Sequence, residues 1–451
     1  MKKLLILILS LCSILVAQNQ IKIPYSRFVL SNGLTVILHE DHSTPTVTVN
    51  IWYHVGSGYE KPERTGFAHL FEHLMFMGSA HVAYGEFDRL LEAAGAENNA
   101  TTNNDRTDYY EDLPINALEL ALYLDSDRMG FLVDSMTLQT VDAQRAVVKN
   151  ERRQSYENRP YGLADETIVK NLYPEGHPYN WPVIGSMKDL DAASLQDVVQ
   201  FFKTYYVPNN ASLVIAGDIK IQETLKLVEK WFGGIPAGKP IPPQNPAAAK
   251  LYNEKIAVLE DNVQLPRLYM AWISPAYFTA GDAELDILGS ILSGGKNSRL
   301  YKKLVYELQI AQDVEAYQYS KKLVSEFQII VTARSGHTLE EIKNAVQEEI
   351  NNIKKVEPTQ RELDRAVNQF EASFLDALET PHEKAEELNS YFYFTGNPDY
   401  ANENLSRYKA LSPDDIQSAA QTYLSDKGHV ILSIVPKGKK DLAVNPIAEG
   451  K

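Results

Sequence analysis

Cysteine is almost absent from this chain of 451 residues, whose single cysteine is Cys12. Cys12 falls within residues 1–17, a segment that we expect to be a secretory signal peptide and to be removed. The mature chain would then contain no cysteine, which excludes disulfides and thiolate zinc ligands. Any metal site must therefore use histidine and carboxylate side chains.

Long hydrophobic runs are also scarce. The first residues combine Lys2 and Lys3 with an apolar core at 4–9 and end on the small residue Ala17, which is typical of a cleavable signal. The run is shorter than the roughly 20 apolar residues that span a bilayer. A lipoprotein signal would need a small residue before Cys12, where Leu11 stands. The sequence thus predicts an exported protein, periplasmic or secreted, with no lipid anchor and no membrane span.

Positive charge is in deficit, with 44 Lys and Arg against 59 Asp and Glu. Removal of residues 1–17 would leave 42 basic residues and a net charge of −17. Such a charge disfavours nucleic acid as a partner, since binding to phosphates depends on basic side chains. The apolar fraction of 44% supports large cores, and the length is sufficient for two or three domains.

Proline and small residues concentrate at 236–250, a composition typical of a semi-rigid linker. This segment separates an amino-terminal domain at 18–235 from a carboxy-terminal domain at 251–451. The two halves match at an offset of 218 residues, where Ser194 and Ser412 each have an aspartate three positions on, the pattern of a helix N-cap.

The beginnings of the two halves also agree. Strands predicted at 27–38 and 46–53 precede a helix in the first half, and strands at 255–259 and 267–273 precede a helix at 283–292 in the second. We therefore expect an α+β fold with two related domains, each a largely antiparallel sheet covered by helices. The second helix has Asp286 near the place of the first half's histidines, so no second metal site is expected.

The most informative motif is an H-x-x-E-H run formed by His69, Glu72 and His73, within a predicted helix from Thr65 to Met77. Side chains three and four positions apart project from one helix face. Two such histidines can bind one Zn²⁺ through ring nitrogens, and a glutamate beside them can accept a proton from water activated by the metal. This order of residues is the inverzincin signature.

Histidines on an amphipathic helix are often only surface or hydrogen-bonded core groups. Here the rest of the helix is strongly apolar, with Phe67, Leu70, Phe71, Leu74, Met75 and Phe76. A helix of this kind is buried, and buried histidine and glutamate require polar partners. The surroundings therefore favour a metal site.

A catalytic zinc needs a third protein ligand. The downstream candidates are Glu92, Glu97, Glu111, Glu151 and Glu157. Glu151 stands out because a helix predicted at 141–156 places it beside Gln144, Val147 and Val148 on one face, where a carboxylate is unusual unless paired. The residues alone leave the alternatives open, including a simple exposed glutamate.

On these motifs the chain resembles the pitrilysin/insulinase-type (M16) zinc metallopeptidases, and within them the processing-peptidase-like branch with two domains per chain. The resemblance covers nearly the whole mature chain. In that family the H-x-x-E-H motif precedes a helix with two glutamates seven apart, the second of which binds zinc. Glu151, 78 positions after His73, fits that second position, while Gln144 replaces the first. The resemblance implies one Zn²⁺ held by His69, His73 and Glu151, with Glu72 as general base.

The segment 98–102 resembles the family's sheet edge near the zinc, to which an extended peptide adds as a further strand. It implies that Asn99 and Ala100 contact the substrate and that Asn99 orients the scissile carbonyl. Without the resemblance, this asparagine-rich segment is typical of a polar turn before a strand.

Active relatives, or their partner subunits, place an arginine and a tyrosine seven residues apart over the zinc site. The corresponding positions here are Val305 and Gln312, which cannot do that work. Arg299 and Tyr306 have the spacing but occur about one turn too early. The resemblance therefore implies that a homologous M16 subunit supplies the pair, either as a second chain or within a homodimer.

The function implied is that of a zinc-dependent endopeptidase, which hydrolyses peptides or unfolded polypeptides and forms the metal-bearing subunit of a pair. The alternative is a non-catalytic scaffold or peptide-binding subunit of an M16-like complex, since the family contains such members. The intact His69, Glu72, His73 and Glu151 favour the enzyme.

Overall fold

The computed structural model describes residues 21–444, so the predicted signal peptide lies outside the described residues. The strands are β1 Ser26–Val29, β2 Thr35–Glu40, β3 Thr46–Tyr53, β4 Glu97–Thr102, β5 Thr107–Pro114, β6 Ala211–Gly217, β7 Lys255–Asp261, β8 Arg267–Ser274, β9 Ala311–Tyr319, β10 Ser325–Ala333 and β11 His429–Pro436. Between residues 21 and 444, no helix is sufficiently long and apolar to cross a bilayer.

The helices surround two sheets. Two segments are π-helical, Arg153–Glu157, which continues α4, and Tyr301–Glu307. The α-helices are α1 Phe67–Leu74, α2 Glu86–Ala93, α3 Leu118–Ser135, α4 Leu138–Arg152, α5 Ala164–Leu172, α6 Met187–Ala192, α7 Leu195–Tyr205, α8 Ile221–Phe232, α9 Asp282–Ser293, α10 Leu339–Lys355, α11 Gln360–Asp376, α12 Pro381–Thr395, α13 Ala401–Lys409 and α14 Pro413–Tyr423.

Each half contains one sheet, and the two sheets share a topology. The first has the strand order β1-β2-β6-β3-β5-β4 and the second has β7-β11-β8-β10-β9. Apart from the extra β1, the orders correspond strand by strand, with parallel pairing only between β2 and β6 and between β7 and β11. The predicted α+β class, with two related and largely antiparallel sheets covered by helices, is confirmed.

The ends of the two halves repeat at the offset read from the sequence. Helices α7 and α14 begin at residues 195 and 413, and each follows a complete capping box, at Ser194 with Asp197 and at Ser412 with Asp415. Each helix is followed by a central strand that is buried nearly throughout, β6 or β11. Such burial requires that both faces of the sheet be covered.

The second cover of each sheet comes from the other half of the chain. Helix α5 of the first half packs Ile168 and Leu172 against Val430 and Leu432 of the second sheet. Helix α12 of the second half packs in the same way on the first sheet, through Ala385, Leu388 and Tyr391 against Ile37, Val214 and Ala216. The segment 236–250 contains no helix or strand and lies between the two sheets in the sequence. Each sheet is nevertheless covered in part by a helix from the other side of this segment. The domain limits drawn from sequence remain predictions.

Buried polar contacts hold the two halves together. Asn389 of α12 donates to Asn50 Oδ1 at 2.6 Å, and its own Oδ1 accepts a hydrogen bond from Ser212 of β6. At the far end of the sheets, the β4–β5 turn meets the β9–β10 turn, where Asp105 Oδ2 accepts from the backbone N–H of Lys322 at 2.9 Å. The edge strands β4 and β9 are thereby held beside each other.

In the second half, apolar residues stand at two of the three positions that carry the motif in the first, and Glu284, at the third, caps its own helix through the Gly281 N–H. Both α1 and α9 follow a left-handed glycine, Gly66 and Gly281. Counted from these glycines, Glu72 and His73 correspond to Ile287 and Leu288, which are buried in the second core. On the same alignment Asp286 corresponds to Phe71, which lies inside the motif segment.

The exchanged helices predict that a substitution in the second half destabilises the first sheet. Leu388→Ala removes a fully buried side chain on α12 and should lower the free energy of unfolding by about 2–5 kcal/mol. Hydrogen exchange should accelerate in β3 and β6. Leu375→Ala, at a position 45% exposed, is the matched control and should change stability by less than about 0.5 kcal/mol. If hydrogen exchange became faster only in residues 251–444, the conclusion that α12 stabilises the first sheet would be wrong.

Candidate metal centre

The H-x-x-E-H motif lies on α1, which is shorter than the predicted 65–77. Gly66 adopts φ +90° and starts the helix at Phe67, and the regular helix ends at Leu74. Leu70, Phe71 and Leu74 are buried in the first core, so the three polar side chains of the motif emerge on the remaining face.

A buried carboxylate holds the beginning of this helix. Glu60 accepts hydrogen bonds from the backbone N–H of Gly66 at 2.9 Å and of Ala68 at 2.8 Å. These are amide groups of the first helical turn, which have no partner within the helix. Burial raises the pKa of Glu60 to about 8, and the hydrogen bonds from these amides oppose that rise. Thr65, directly before, is held by Asp189 through both its backbone N–H and its hydroxyl. The direction of α1 is therefore set from outside the helix.

His69, His73 and Glu151 converge. Nε2 of His73 lies 3.2 Å from one carboxylate oxygen of Glu151, and Nε2 of His69 lies 3.6 Å from the other. All three potential ligand atoms fall within 4.8 Å of one another, and this is the only such group of three found in residues 21–444. Ligands at about 2.0–2.1 Å from a tetrahedral zinc are separated by roughly 3.3 Å, so the two nitrogens and the carboxylate fit that ion.

The electrostatics of the three side chains suit a cation. Burial lowers the pKa of His69 to about 4, so its ring is neutral near pH 7 and its Nε2 lone pair is available. The hydrogen bond with His73 lowers the pKa of Glu151, which keeps that carboxylate ionised. Nδ1 of His69 is buried with no hydrogen-bond partner among residues 21–444, so this ring is oriented by packing and by the contact of its Nε2 with Glu151.

Glu151 is delivered by α4, which ends one residue later. Arg152 is buried and donates to the carbonyl of Gly185 at 2.8 Å and to Glu166 at 2.6 Å. The helix predicted to run to Tyr156 instead changes to a π-helical turn at Arg153, a distortion that recurs at functional sites. The predicted apolar face is also only partly present, since Val148 is buried but Val147 is 46% exposed.

Glu72 faces the edge strand β4, where the hydroxyl of Thr102 donates to its carboxylate. Burial raises the pKa of Glu72, and the hydrogen bond from Thr102 opposes that shift. A carboxylate that is partly desolvated but held by one donor is a stronger proton acceptor than a fully hydrated one. Sequence reasoning assigned no role to Thr102, because its contact with Glu72 exists only in the folded chain.

The strand predicted at 98–102 is present as β4, the outermost strand of the first sheet. Asn99 Oδ1 accepts a hydrogen bond at 2.9 Å from the backbone N–H of Ala100. That amide is therefore not used by the neighbouring strand β5 and belongs to the free edge. Asn99 and Ala100 lie three and two residues before Thr102, which contacts Glu72.

The site opens into a cavity of about 440 Å³ between the two sheets. The first half contributes His69, Glu72, Ala100 and Tyr156 to its walls. The opposite wall belongs to β9, β10 and their turn, with Tyr317, Tyr319, Lys321, Glu326 and Gln328. Sequence reasoning missed this wall, although Tyr317 and Tyr319 alternate on a strand and so point to one face.

The other residues considered from sequence lie elsewhere. Glu111 is buried in an ion pair with Arg128 at 2.9 Å, and Gln144 donates to the sulfur of Met77. Arg299 is held by Glu362 at 2.8 and 3.0 Å, and Tyr306 packs on Tyr301. Neither Arg299 nor Tyr306 lines the cavity, nor does Val305, which is buried in the second core, nor Gln312.

Comparison with known proteins gives the same picture. The profile of the insulinase family (peptidase family M16) matches residues 35–178, and that of the peptidase M16 inactive domain matches residues 192–370. The chain is 28% identical to the zinc protease PqqE of Helicobacter pylori over 414 residues, which is 90% of this chain and 92% of that protein. It is 25% identical to a probable mitochondrial-processing peptidase subunit beta of Schizosaccharomyces pombe, over 90% of both chains.

Solved structures agree on the architecture. The crystal structure of a protease from Helicobacter pylori superposes with a TM-score of 0.87 at 27% identity and covers 92% of this chain and 99% of its own. A peptidase M16 inactive domain from Pseudomonas fluorescens gives a TM-score of 0.82 at 18% identity over 94% of this chain and shares the fold. The two profiles together span most of this sequence. The chain belongs to the M16 (insulinase) peptidase family, among its processing-peptidase-like members.

Proposed function

We propose that this protein is a zinc-dependent endopeptidase that hydrolyses peptides or unfolded polypeptides. The observation that supports it best is the convergence of His69, His73 and Glu151 beside Glu72, at the wall of a cavity bordered by a free strand edge. His69, His73 and Glu151 would hold one Zn²⁺. When bound, zinc acts as a Lewis acid that makes water nucleophilic near neutral pH.

The side chains of this chain divide the remaining work. Glu72, kept in place by Thr102, accepts a proton from the attacking water and returns it to the leaving amine. The cavity removes bulk water around the peptide, which strengthens these interactions. Its volume of about 440 Å³ accommodates a few residues of an extended chain and excludes a folded domain.

The peptide would bind as an additional strand on β4. Its carbonyl groups would take over the Ala100 amide from Asn99 Oδ1, and the released Asn99 side chain would then be free to orient the scissile carbonyl. Main-chain pairing of this kind accepts many sequences, so selectivity would come from side-chain pockets. We propose export to the periplasm or the medium as the setting, from the signal at residues 1–17.

A non-catalytic, peptide-binding role is the second candidate. It is favoured by the second half, whose residues in place of Glu72 and His73 are buried and apolar. The first half opposes it, because a scaffold has no need of a carboxylate held next to three potential metal ligands. Enzyme and scaffold differ in what Glu72 contributes, and this difference provides the test.

Glu72→Gln and His69→Ala should separate metal binding from chemistry. We expect Glu72→Gln to retain about one zinc per chain while peptide cleavage falls at least about a hundredfold, since a general base contributes 10²–10⁴-fold. His69→Ala should lose both. Zinc is measured by elemental analysis after dialysis, and cleavage with a quenched fluorescent peptide. Unchanged cleavage by Glu72→Gln would remove the general-base role, and undiminished zinc in His69→Ala would remove the metal assignment.

Thr102→Val should change the pH dependence of cleavage. The Thr102 hydrogen bond favours the ionised carboxylate, so its loss raises the pKa of Glu72. A base is active when ionised, and activity is lost as the pH falls through its pKa. The acidic limb of kcat/KM should therefore move to higher pH, with about a tenfold loss at pH 6. Thr102→Ser keeps the hydroxyl and should restore the original limb. A limb that does not move in Thr102→Val would contradict the contact.

We propose further that a second M16 chain completes the site. Arg299 is bound by Glu362 and Glu349, and Tyr306 by Tyr301, so neither reaches the cavity. The chain's own groups at the opposite wall offer tyrosines and a lysine, but Lys321 is buried in an ion pair with Glu326 at 3.1 Å. An arginine from a related subunit would supply the missing cation for the oxyanion.

The partner can be detected by titration. We expect the purified chain alone to cleave weakly. A homodimer predicts that specific activity rises with protein concentration, and a heterodimer predicts that it rises only when a related chain with the arginine and tyrosine pair is added. Full, concentration-independent activity that is lost in Arg299→Ala would overturn the proposal.

A further inference from the structure

A second, smaller cavity of about 360 Å³ adjoins the central one and shares Tyr156 and Asp165 with it. Its walls include the metal-centre residue Glu151 and two arginines, one from each half of the chain, Arg159 and Arg267. Both guanidinium groups lack a carboxylate partner within the 4.0 Å of an ion pair, among the residues from 21 to 444. Arg159 is exposed, whereas Arg267 is partly buried without a carboxylate partner among the described residues, so Arg267 is the arginine whose position calls for a reason.

Arg267 is fixed in position before any ligand arrives. Its Nε donates to Thr332 Oγ1 at 2.9 Å, and its Cζ lies over the ring of Tyr161, 3.8 Å from the ring centroid. The guanidinium also acts on the hydroxyl of Tyr269 in the same cavity, where it opposes the rise in the pKa of that tyrosine caused by burial. Its remaining hydrogen-bonding capacity is not used by any carboxylate of residues 21–444. A planar guanidinium held in this way is suited to a carboxylate, which it can bind through two parallel hydrogen bonds.

Tyr161, which supports Arg267, has a strained backbone. Its φ of +61° lies in the left-handed region, which is rare for a bulky residue and costs free energy. The conformation is imposed from the other half, because Asp261 accepts from its backbone N–H and Leu265 accepts from its hydroxyl, each at 2.8 Å. Strain that the surroundings impose in this manner is often found at ligand sites.

The charge balance of the cavity favours an anion. Glu151 faces the two histidines and would be neutralised by the metal, so it does not offset the arginines. The other carboxylate in the cavity is Asp165. Arg159 lowers the pKa of Asp165 by its charge but forms no ion pair with it. Apart from Glu151, the walls of the cavity carry two guanidinium groups and one carboxylate, while Asp261 and Asp313 lie near Tyr161 outside the walls. The walls themselves can therefore compensate one more negative charge.

We propose that Arg159 and Arg267 form a subsite for a carboxylate of the bound peptide, next to the metal centre. This inference rests on the proposed peptidase function and specifies its selectivity. The carboxylate comes from an acidic side chain of the peptide or from its carboxy terminus, and both sources present the same group to the two arginines.

Binding to zinc-loaded Glu72→Gln protein tests the subsite without relying on cleavage. In the first series of fluorescent peptides, the carboxy terminus is amidated and a single glutamate replaces glutamine at each position in turn. In the second series, the peptide contains glutamine only and its carboxy terminus is either free or amidated. We expect about a fivefold or greater fall in Kd for glutamate at one position, or for the free end. The two series identify the source of the carboxylate.

The assignment to these arginines is tested in the same assay. Arg159→Gln and Arg267→Gln, each added to Glu72→Gln, should bring the ratio of Kd values for the two peptides close to one. Arg153→Gln removes the same charge from an exposed position in the same segment and should leave the ratio intact. Because Arg267 is partly buried, Arg267→Lys serves as the milder variant and should reduce the ratio in part.

The outcomes separate the two proposals. The subsite is overturned if the Glu72→Gln protein with both arginines intact binds the two peptides of every pair with equal Kd. It is also overturned if a difference in Kd persists in both Arg159→Gln and Arg267→Gln. If the protein with Glu72 intact cleaves the glutamine peptides in a zinc-dependent manner, the proposed function stands even then. If it binds but cleaves none of them, the peptidase proposal fails while the carboxylate subsite is retained.

Discussion

The site depends on the exchange of covering helices between the halves. A central strand such as β6 is apolar on both faces, and the first half covers only one of them with its own helices. Helix α12 covers the other face, and α5 does the same for the second sheet. Neither sheet can therefore be buried without the opposite half, and the geometry that satisfies both covers places the edge strands β4 and β9 beside each other. The cavity is the space that remains between them.

Within this frame, the chemistry depends on how the helix that carries the motif is held. An imidazole and a carboxylate on a freely moving helix would be hydrated and of ordinary pKa. Here Glu60 and Asp189 fix the helix start, and the core fixes its apolar face, so His69 is partly desolvated and Glu72 is brought against Thr102. Burial therefore acts on the two groups in useful directions, towards a neutral histidine and a more basic carboxylate.

Local patterns predicted what local interactions determine. The spacing of His69, Glu72 and His73 was sufficient to place them on one helix face, and strand β3 has the limits predicted from the sequence. Glu151 is different, because 78 residues separate it from His73, and the residues alone left several glutamates open. Its selection required a family pattern. The π-helical turn after it depends on Arg152 reaching Gly185 and Glu166, which are distant contacts that no local pattern records. The wall formed by Tyr317 and Tyr319 was missed for the same reason.

The two halves share a topology but have diverged in how they use it. After Gly281 the second half places Ile287 and Leu288 in its core, and at Gly289 the helix comes so near to β9 that a Cβ atom would lie 2.8 Å from the carbonyl oxygen of Ala316. That close packing leaves no room for a metal centre. It also gives β9 a firm support from behind, so that its exposed tyrosines, and Arg267 two strands away, present a stable surface to the first half. In the proposed peptidase, the two halves would therefore differ in their roles, because the first would carry the metal centre and the second would supply the opposite wall of the cavity.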